Sequence, residues 1–372
     1  MQSNNQILLQ TKTGENKIAI NLSKPIESST SSQREIFIQK KIKFPEKVSS
    51  LPTGVIYDPR TEKHQPFSHR SGMLAHVENP QRTINIMSRF TESQTLNENV
   101  DLIQEVDFID IKKANRVHGE YYIEILESIW PEGLERPQMK YKDTYYTVHS
   151  YDAARRSAES ARLSVENVIK GKWKNAFALC RPPGHHAQKD NRMSGFCFMN
   201  NAVIGAREAI DDLGIKKVLI LDWDVHHGDS TQKLTYSDSQ ILYMSLHRFD
   251  KGVFFPGPTG AVENTGEGDG KGFNLNFPFN IDKKRDMMVD DCMYNYAFQR
   301  AFWPVISNFQ PELVIVSCGF DCICGDPLGK IHLNGDGKYF FLNNYQVWFI
   351  CSKKSRKISH PKLWFFWKEG II

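Results

Sequence analysis

The sequence predicts an α/β protein built on a single doubly wound, mostly parallel sheet with helices on both faces. Three observations predict it. The apolar runs Lys217–Leu221 and Leu313–Cys318 lack the polar alternation of a half-exposed strand and read as strands buried on both faces. Stretches of helical spacing separate the strand-like runs from about residue 50 to 320, the pattern of successive β-α units. Each run also has a carboxylate just past its C-terminal end, where open α/β sheets gather their ligands.

Length and composition agree with this class. A chain of 372 residues, 40% apolar and 24% charged, is that of an ordinary globular protein with room for a large core. No stretch approaches the ~20 apolar residues of a membrane span, and Met1–Gln10 lacks the apolar centre of a signal peptide. The seven cysteines are scattered and read as reduced thiols of an intracellular protein. The net charge of +4 lies in the ends. Residues 1–50 carry eight Lys/Arg against four Asp/Glu, and residues 345–372 six against one. The body, 51–344, is mildly acidic, which argues against a basic DNA-reading face and tolerates a cationic substrate.

In chain order, residues 1–50 are rich in Ser, Gln, Asn and Lys with little periodicity, and read as a mostly disordered leader. Thr53–Asp58 reads as the first strand and turn, and His76–Arg82 opens a helix running towards Phe90. Helical spacing from Tyr151 ends at Gly171. Ala176–Cys180 is a short strand running into Arg181-Pro182-Pro183-Gly184-His185-His186-Ala187, where two prolines and a glycine make a rigid mount for adjacent histidines. A helix spans Ala202–Leu213. The central strand then ends in Asp222-Trp223-Asp224-Val225-His226-His227-Gly228-Asp229. Side chains at i and i+2 of an extended segment share a face, so Asp224 and His226 offer half of a metal shell. Ile241–His247 and Phe273–Phe277 are further strands. The glycine run Gly266–Gly272 precedes a strand instead of following one and does not match a dinucleotide fingerprint. Helical spacing covers Asp286–Phe309, and Asp321 is another carboxylate just past a strand end. Residues 51–344 thus read as one domain and 345–372 as an atypical basic and aromatic tail.

Arg-Pro-Pro-Gly-His-His-Ala, Gly-Phe-Cys-Phe-Met-Asn-Asn, Asp-Trp-Asp-Val-His-His-Gly, Tyr-Met-Ser-Leu-His-Arg, Phe-Phe-Pro and Gly-Phe-Asp…Gly-Asp-Pro-Leu-Gly occur together in one order and spacing. In this the chain resembles the zinc-dependent histone deacetylases, most closely the class II branch, over roughly Thr53–Gly337. The resemblance implies an arginase/deacetylase-like fold and one zinc ion held by Asp224, His226 and Asp321. His186 becomes the general base that also returns a proton to the leaving amine, with His185 its electrostatic partner. Asp222 orients His185 and Asp229 orients His186. Phe196 and Phe255 wall the lysine channel, and the Gly195 carbonyl meets the substrate amide. Asp222, Asp224, His226, Ser245 and Leu246 fall where the family holds a structural K+. The resemblance also implies acetylated histone tails or other acetyl-lysine proteins as substrates, corepressor-type protein partners, and action in the nucleus or cytoplasm, with no membrane and no sequence-specific nucleic acid.

The chain departs from the family pattern in places. Asp229 stands where class II relatives often have Asn, Ser230 where the family usually has Gly, and Thr235 where it usually has Phe. The Gly-Gly-Tyr or Gly-Gly-His that supplies the family's oxyanion donor occurs nowhere in the 372 residues, which predicts a truncated or divergent C-terminal end and impaired turnover. Two alternatives to lysine deacetylation stand beside it: a catalytically weak deacetylase-like binding or scaffold protein, and a related hydrolase such as an acetylpolyamine deacetylase or a two-metal ureohydrolase.

Overall fold

The structure is a computed structural model, which describes residues 6–9, 18–21, 50–66, 76–128, 144–189, 193–281 and 289–334. They fall into two units. In the first, β1 (Gln6–Leu9) pairs antiparallel with β2 (Ile18–Asn21), two short strands within the expected leader. The rest of residues 1–49 and the whole of 335–372 lie outside the described residues.

The second unit is the α/β body. Its strands are β3 (Thr53–Ile56), β4 (Val100–Ile103), β5 (Asn175–Ala178), β6 (Val218–Asp222), β7 (Ile241–Arg248), β8 (Asn274–Phe279) and β9 (Leu313–Ser317). Every pairing among them is parallel. The hydrogen-bonded strands group into two ladders, ordered β4-β3-β5 and β8-β7-β6-β9. The sequence missed β4, whose Val-Asp-Leu-Ile is too short and too polar to announce itself.

β6 shows why its apolar run has no polar alternation. Val218 and Ile220 join one hydrophobic core, and Leu219 and Leu221 join the other. β7 divides the same way, Ile241 and Tyr243 on one side, Leu242, Met244 and Leu246 on the other. A strand buried on both faces has no solvent side to mark with polar residues. The helix Ser150–Ile169 covers one face with Ala154, Ala158, Val165 and Val168. Small residues let it approach closely: a Cβ on Gly205, in the helix Asn201–Arg207, would sit 3.1 Å from Val165. Gly171, at φ +73°, stops the long helix as expected. The other face carries the segments Asp291–Ala297 and Trp303–Phe309, joined by a π-type turn over Phe298–Phe302. A similar turn, Glu208–Asp212, ends the helix expected over Ala202–Leu213. The six described cysteines are free thiols. No helix among the described residues is long and apolar enough to cross a membrane.

Register is what positions the site. Asp222 of β6 lies level with Ser245 of β7 and Ser317 of β9. The segments that follow these strands therefore leave the sheet side by side at its carboxyl edge.

Candidate metal centre and flanking histidines

Asp224 lies two residues past β6 and Asp321 four past β9. Backbone hydrogen bonds knit the two loops together. Val225 N donates to Asp321 Oδ1 (2.9 Å) across them, and within the first loop His226 N donates to Asp224 Oδ1 (2.8 Å). Asp224, His226 and Asp321 each offer one ligand atom, all within 4.8 Å of one another, and among the described residues they are the one such cluster. His226 Nδ1 stands 2.9 Å from Asp321 Oδ2 and 3.1 Å from Asp224 Oδ1.

The electrostatics test whether a cation suits this place. Burial alone would disfavour a charged imidazole, but the Asp224 and Asp321 carboxylates push His226 up to about 10. Burial opposes the ionised form of Asp224 as well, and the neighbouring His185 and His226 nonetheless hold it well below the usual carboxylate range. Burial, with Asp224 alongside, raises Asp321. The two carboxylates thus favour a positive charge between them, which a proton on His226 can supply. A divalent ion satisfies the same two carboxylates and frees the imidazole nitrogen to ligate, with release of that proton. The donor set, one imidazole and two carboxylates, suits a borderline ion such as zinc.

Glycine leaves the room. A Cβ on Gly319 would lie 2.0 Å from Asp224 Oδ2, and one on Gly329 would lie 2.0 Å from the Asp321 carbonyl. Gly319→Ala is accordingly expected to push the Asp224 carboxylate out of place and to weaken metal affinity at least about tenfold, the scale of a disturbed ligand environment. Competition titration against a chromophoric chelator, with circular dichroism to verify the fold, checks it. Unchanged affinity would show that the loop yields without moving the ligand.

The turn after Arg181 carries the two histidines expected from the sequence. His185 Nδ1 donates to Asp222 Oδ2 (3.0 Å), which also accepts from the Tyr243 hydroxyl (3.2 Å). His186 Nδ1 donates to Asp229 Oδ1 (2.7 Å). The two rings lie 4.0 Å apart between centroids, yet their protonation is driven in opposite directions. Burial would lower His185, but Asp224 and Asp222 outweigh it and push it up to about 9. Burial and the charge on His185 push His186 down to about 4. A cation between Asp224 and Asp321 takes over part of the field that holds the His185 proton. His186 stays neutral, with Nε2 free to accept. Environments that separate neighbouring titratable groups in this way assign acid and base roles.

Two further segments, around Gly195 and around Phe255, come close to these histidines. Gly195 and Phe196 both have left-handed backbones, φ +55° and +68°. A Cβ on Gly195 would strike His186 Cδ2 at 2.2 Å, so glycine is required for close approach as well as for φ. Phe196 N is held by the Thr144 hydroxyl (3.1 Å). Phe255, 40% exposed, presents its ring nearly perpendicular to those of His186 (5.0 Å) and His226 (5.8 Å). Ser245 and Leu246 are fully buried on β7, and the Ser245 hydroxyl bonds His247 Nδ1 (2.8 Å).

Sequence reasoning missed four contributors. Phe254 stacks on His226 at 5.1 Å, and the Arg248 guanidinium lies over the Phe254 ring, 4.2 Å from its centroid. Tyr243 supports Asp222. Gln188 Nε2 donates to Asp229 Oδ2 (2.5 Å). Glu78, which read as part of a polar helix start, is fully buried and receives Arg181 Nε (2.5 Å) and the Tyr145 hydroxyl (2.6 Å). It locks the residue from which the histidine turn departs. Ser230 has a structural use, since its hydroxyl donates to the Ala187 carbonyl and ties the helix Asp229–Thr235 to that turn. Thr235 is buried, its hydroxyl turned back onto the Thr231 carbonyl (2.9 Å).

Comparison with known proteins places this arrangement. A family profile described as Histone deacetylase domain matches residues 76–356. The chain belongs to the histone deacetylase family. The match runs beyond Gly337, into the residues expected to be atypical. Histone deacetylase HDA1 of Candida albicans is 36% identical over 307 residues, covering 77% of this chain and 36% of that protein. HDA1 of Saccharomyces cerevisiae is 33% identical over 346 residues, covering 87% and 47%. The crystal structure of the HDA15 HD domain superposes with a TM-score of 0.73 at 34% identity, covering 79% of this chain and 80% of that one. The chain spans between about a third and a half of the length of these two curated relatives.

Proposed function

We propose that this histone deacetylase family chain hydrolyses the acetyl amide of N-acetyl-lysine in histones or other proteins, with one zinc ion held by Asp224, His226 and Asp321. The observation that carries the reading is the three-ligand cluster standing beside a neutral, carboxylate-anchored His186. When bound, the zinc ion supplies Lewis-acid polarisation and a water of lowered pKa. The chain's own residues do the rest. His186, its Nδ1 proton committed to Asp229, accepts the water's proton at Nε2 and delivers it to the departing amine. His185, anchored by Asp222, adds positive charge where the tetrahedral oxyanion forms. Phe196 and Phe255 strip water from the lysine methylenes, and the Gly195 carbonyl accepts from the amide N–H. Asp222, Asp224, the His226 and Leu246 backbones and Ser245 are proposed to hold a structural K+. Histone substrates and corepressor-type partners would place the protein in chromatin repression, in the nucleus or the cytoplasm.

One component of such a site does not occur in the 372 residues, the Gly-Gly-Tyr donor. A single oxyanion donor is worth roughly 10²–10³ in rate. This chain, assayed by itself, is therefore expected to deacetylate a plain acetyl-lysine peptide at least about 10²-fold more slowly than the same chain extended through a Gly-Gly-Tyr segment. A hydroxamate chelator should bind both equally. Equal rates would place the donor on Tyr339 or Tyr345, which lie outside the described residues. Chelator binding with no turnover by either form would favour the scaffold reading, and preference for an acetylated polyamine over the peptide would favour the polyamine one.

A further inference from the structure

We propose that Gln188 is a positioning residue for the general base: its amide and the His186 ring donate to the two oxygens of Asp229 from opposite sides, and its main chain is held by a run of donors from the Asn200 backbone through His118. The inference deepens the deacetylase reading and rests on it for the rate effect.

Each link has its direction fixed by chemistry. Asn200 N–H can only donate, and it donates to His118 Nε2 (2.8 Å). Burial pushes His118 down to about 4, so the ring is neutral and its one proton sits on Nδ1. From there it donates to the Gln188 main-chain carbonyl (3.1 Å). The Gln188 amide could be drawn either way round, but a carboxylate accepts only. Its Nε2 therefore faces Asp229 Oδ2 (2.5 Å). The other oxygen, Oδ1, accepts from His186 Nδ1 (2.7 Å).

The consequence is geometric. With one oxygen engaged, a carboxylate still pivots about its own axis. With both engaged from opposite partners, its plane is set, and so is the ring it holds. The start of this run is itself rigid. The Asn200 side chain caps the helix Asn201–Arg207 through Val203 N (3.1 Å) and donates to the Thr231 hydroxyl (3.0 Å). The Ser230 hydroxyl on the Ala187 carbonyl holds the turn from the other side. Gln188 is only half-buried, so its side chain contributes mainly through this bond and little through packing.

Gln188→Met keeps length and bulk and removes the donor. In the full 372-residue chain, and in its Gly-Gly-Tyr-extended form, kcat is expected to fall about tenfold with KM within about twofold, the scale of a lost orienting partner. The independent readout is the imidazole protons of selectively ¹⁵N-His-labelled protein. The His186 Nδ1–H should exchange with water at least about tenfold faster in the variant, a loss comparable to one charge-assisted bond. The His118 Nδ1–H, bonded to the Gln188 main chain, should not change. Gln188→Asn, which retains an amide donor on a shorter arm, should recover part of the protection. An unchanged His186 proton in Gln188→Met, whatever the rate, overturns the proposal. So does faster exchange of both protons together, which would show that Gln188 merely packs the turn. If neither form of the wild-type chain turns over acetyl-lysine while the His186 proton alone is lost in the variant, the positioning inference stands and the deacetylase reading fails.

Discussion

Asp224→Ala is expected to leave a folded chain that binds no divalent ion. Elemental analysis after dialysis should find about one zinc per wild-type chain and less than a tenth of that in the variant, because three protein ligands are the minimum of such sites. Deacetylase activity should fall at least about 10³-fold, the several kcal/mol that a Lewis acid supplies converted at 1.36 kcal/mol per decade. The loss follows from the geometry. Asp224 Oδ1 accepts from the His226 backbone and stands 3.1 Å from the His226 ring. Removing the carboxylate therefore deletes one ligand and loosens another. Stability should fall by less than for a core cavity, since Asp224 lies at the sheet edge and not between the two cores. Zinc should raise the wild-type Tm and leave that of the variant unmoved, because only the native wild-type chain binds it. Two ions per chain, or zinc retained by the variant, would sink the assignment and turn attention to the two-metal hydrolases.

His186→Ala is expected to retain zinc and to lose about 10²–10⁴ in kcat, the range of general acid–base catalysis. His185→Ala should lose less. The difference comes from protonation. His186 is driven down to about 4 by burial and by the charge on His185, so it is unprotonated at pH 7 and ready to accept. His185 is driven up by Asp224 and Asp222 against its burial, so it acts through charge and not as a base. Its Nε2 lies 3.8 Å from Asp224 Oδ2, so His185→Ala should also shift metal affinity, whereas His186→Ala should not. Paired measurements of kcat and zinc affinity separate the two. Equal losses in rate, or zinc lost from the His186 variant, would reverse the roles.

The sequence by itself determined a good deal of this protein. Strand runs such as Leu219–Leu221 and Leu313–Ser317 announced themselves because burial on both faces excludes polar residues. The motifs Asp-x-Asp-x-His and Pro-Pro-Gly-His-His were legible because each is local, set by a strand end or a rigid turn. What the sequence left open needed contacts between distant segments. The resemblance names Asp321 as a ligand, but its contact is tertiary: it reaches His226 across 95 residues because β9 is paired beside β6, an adjacency that no periodicity encodes. Glu78 reads as an ordinary helix start until the fold buries it against Arg181, 103 residues away. Gln188 looks like a solvated loop residue until Asp229 arrives 41 residues later. The opposite protonation of His185 and His186, neighbours in sequence, belongs wholly to the tertiary structure. It arises because at His185 two carboxylates outweigh burial, whereas at His186 burial and the charge on His185 outweigh the single carboxylate of Asp229, and charge is felt through space and not along the chain.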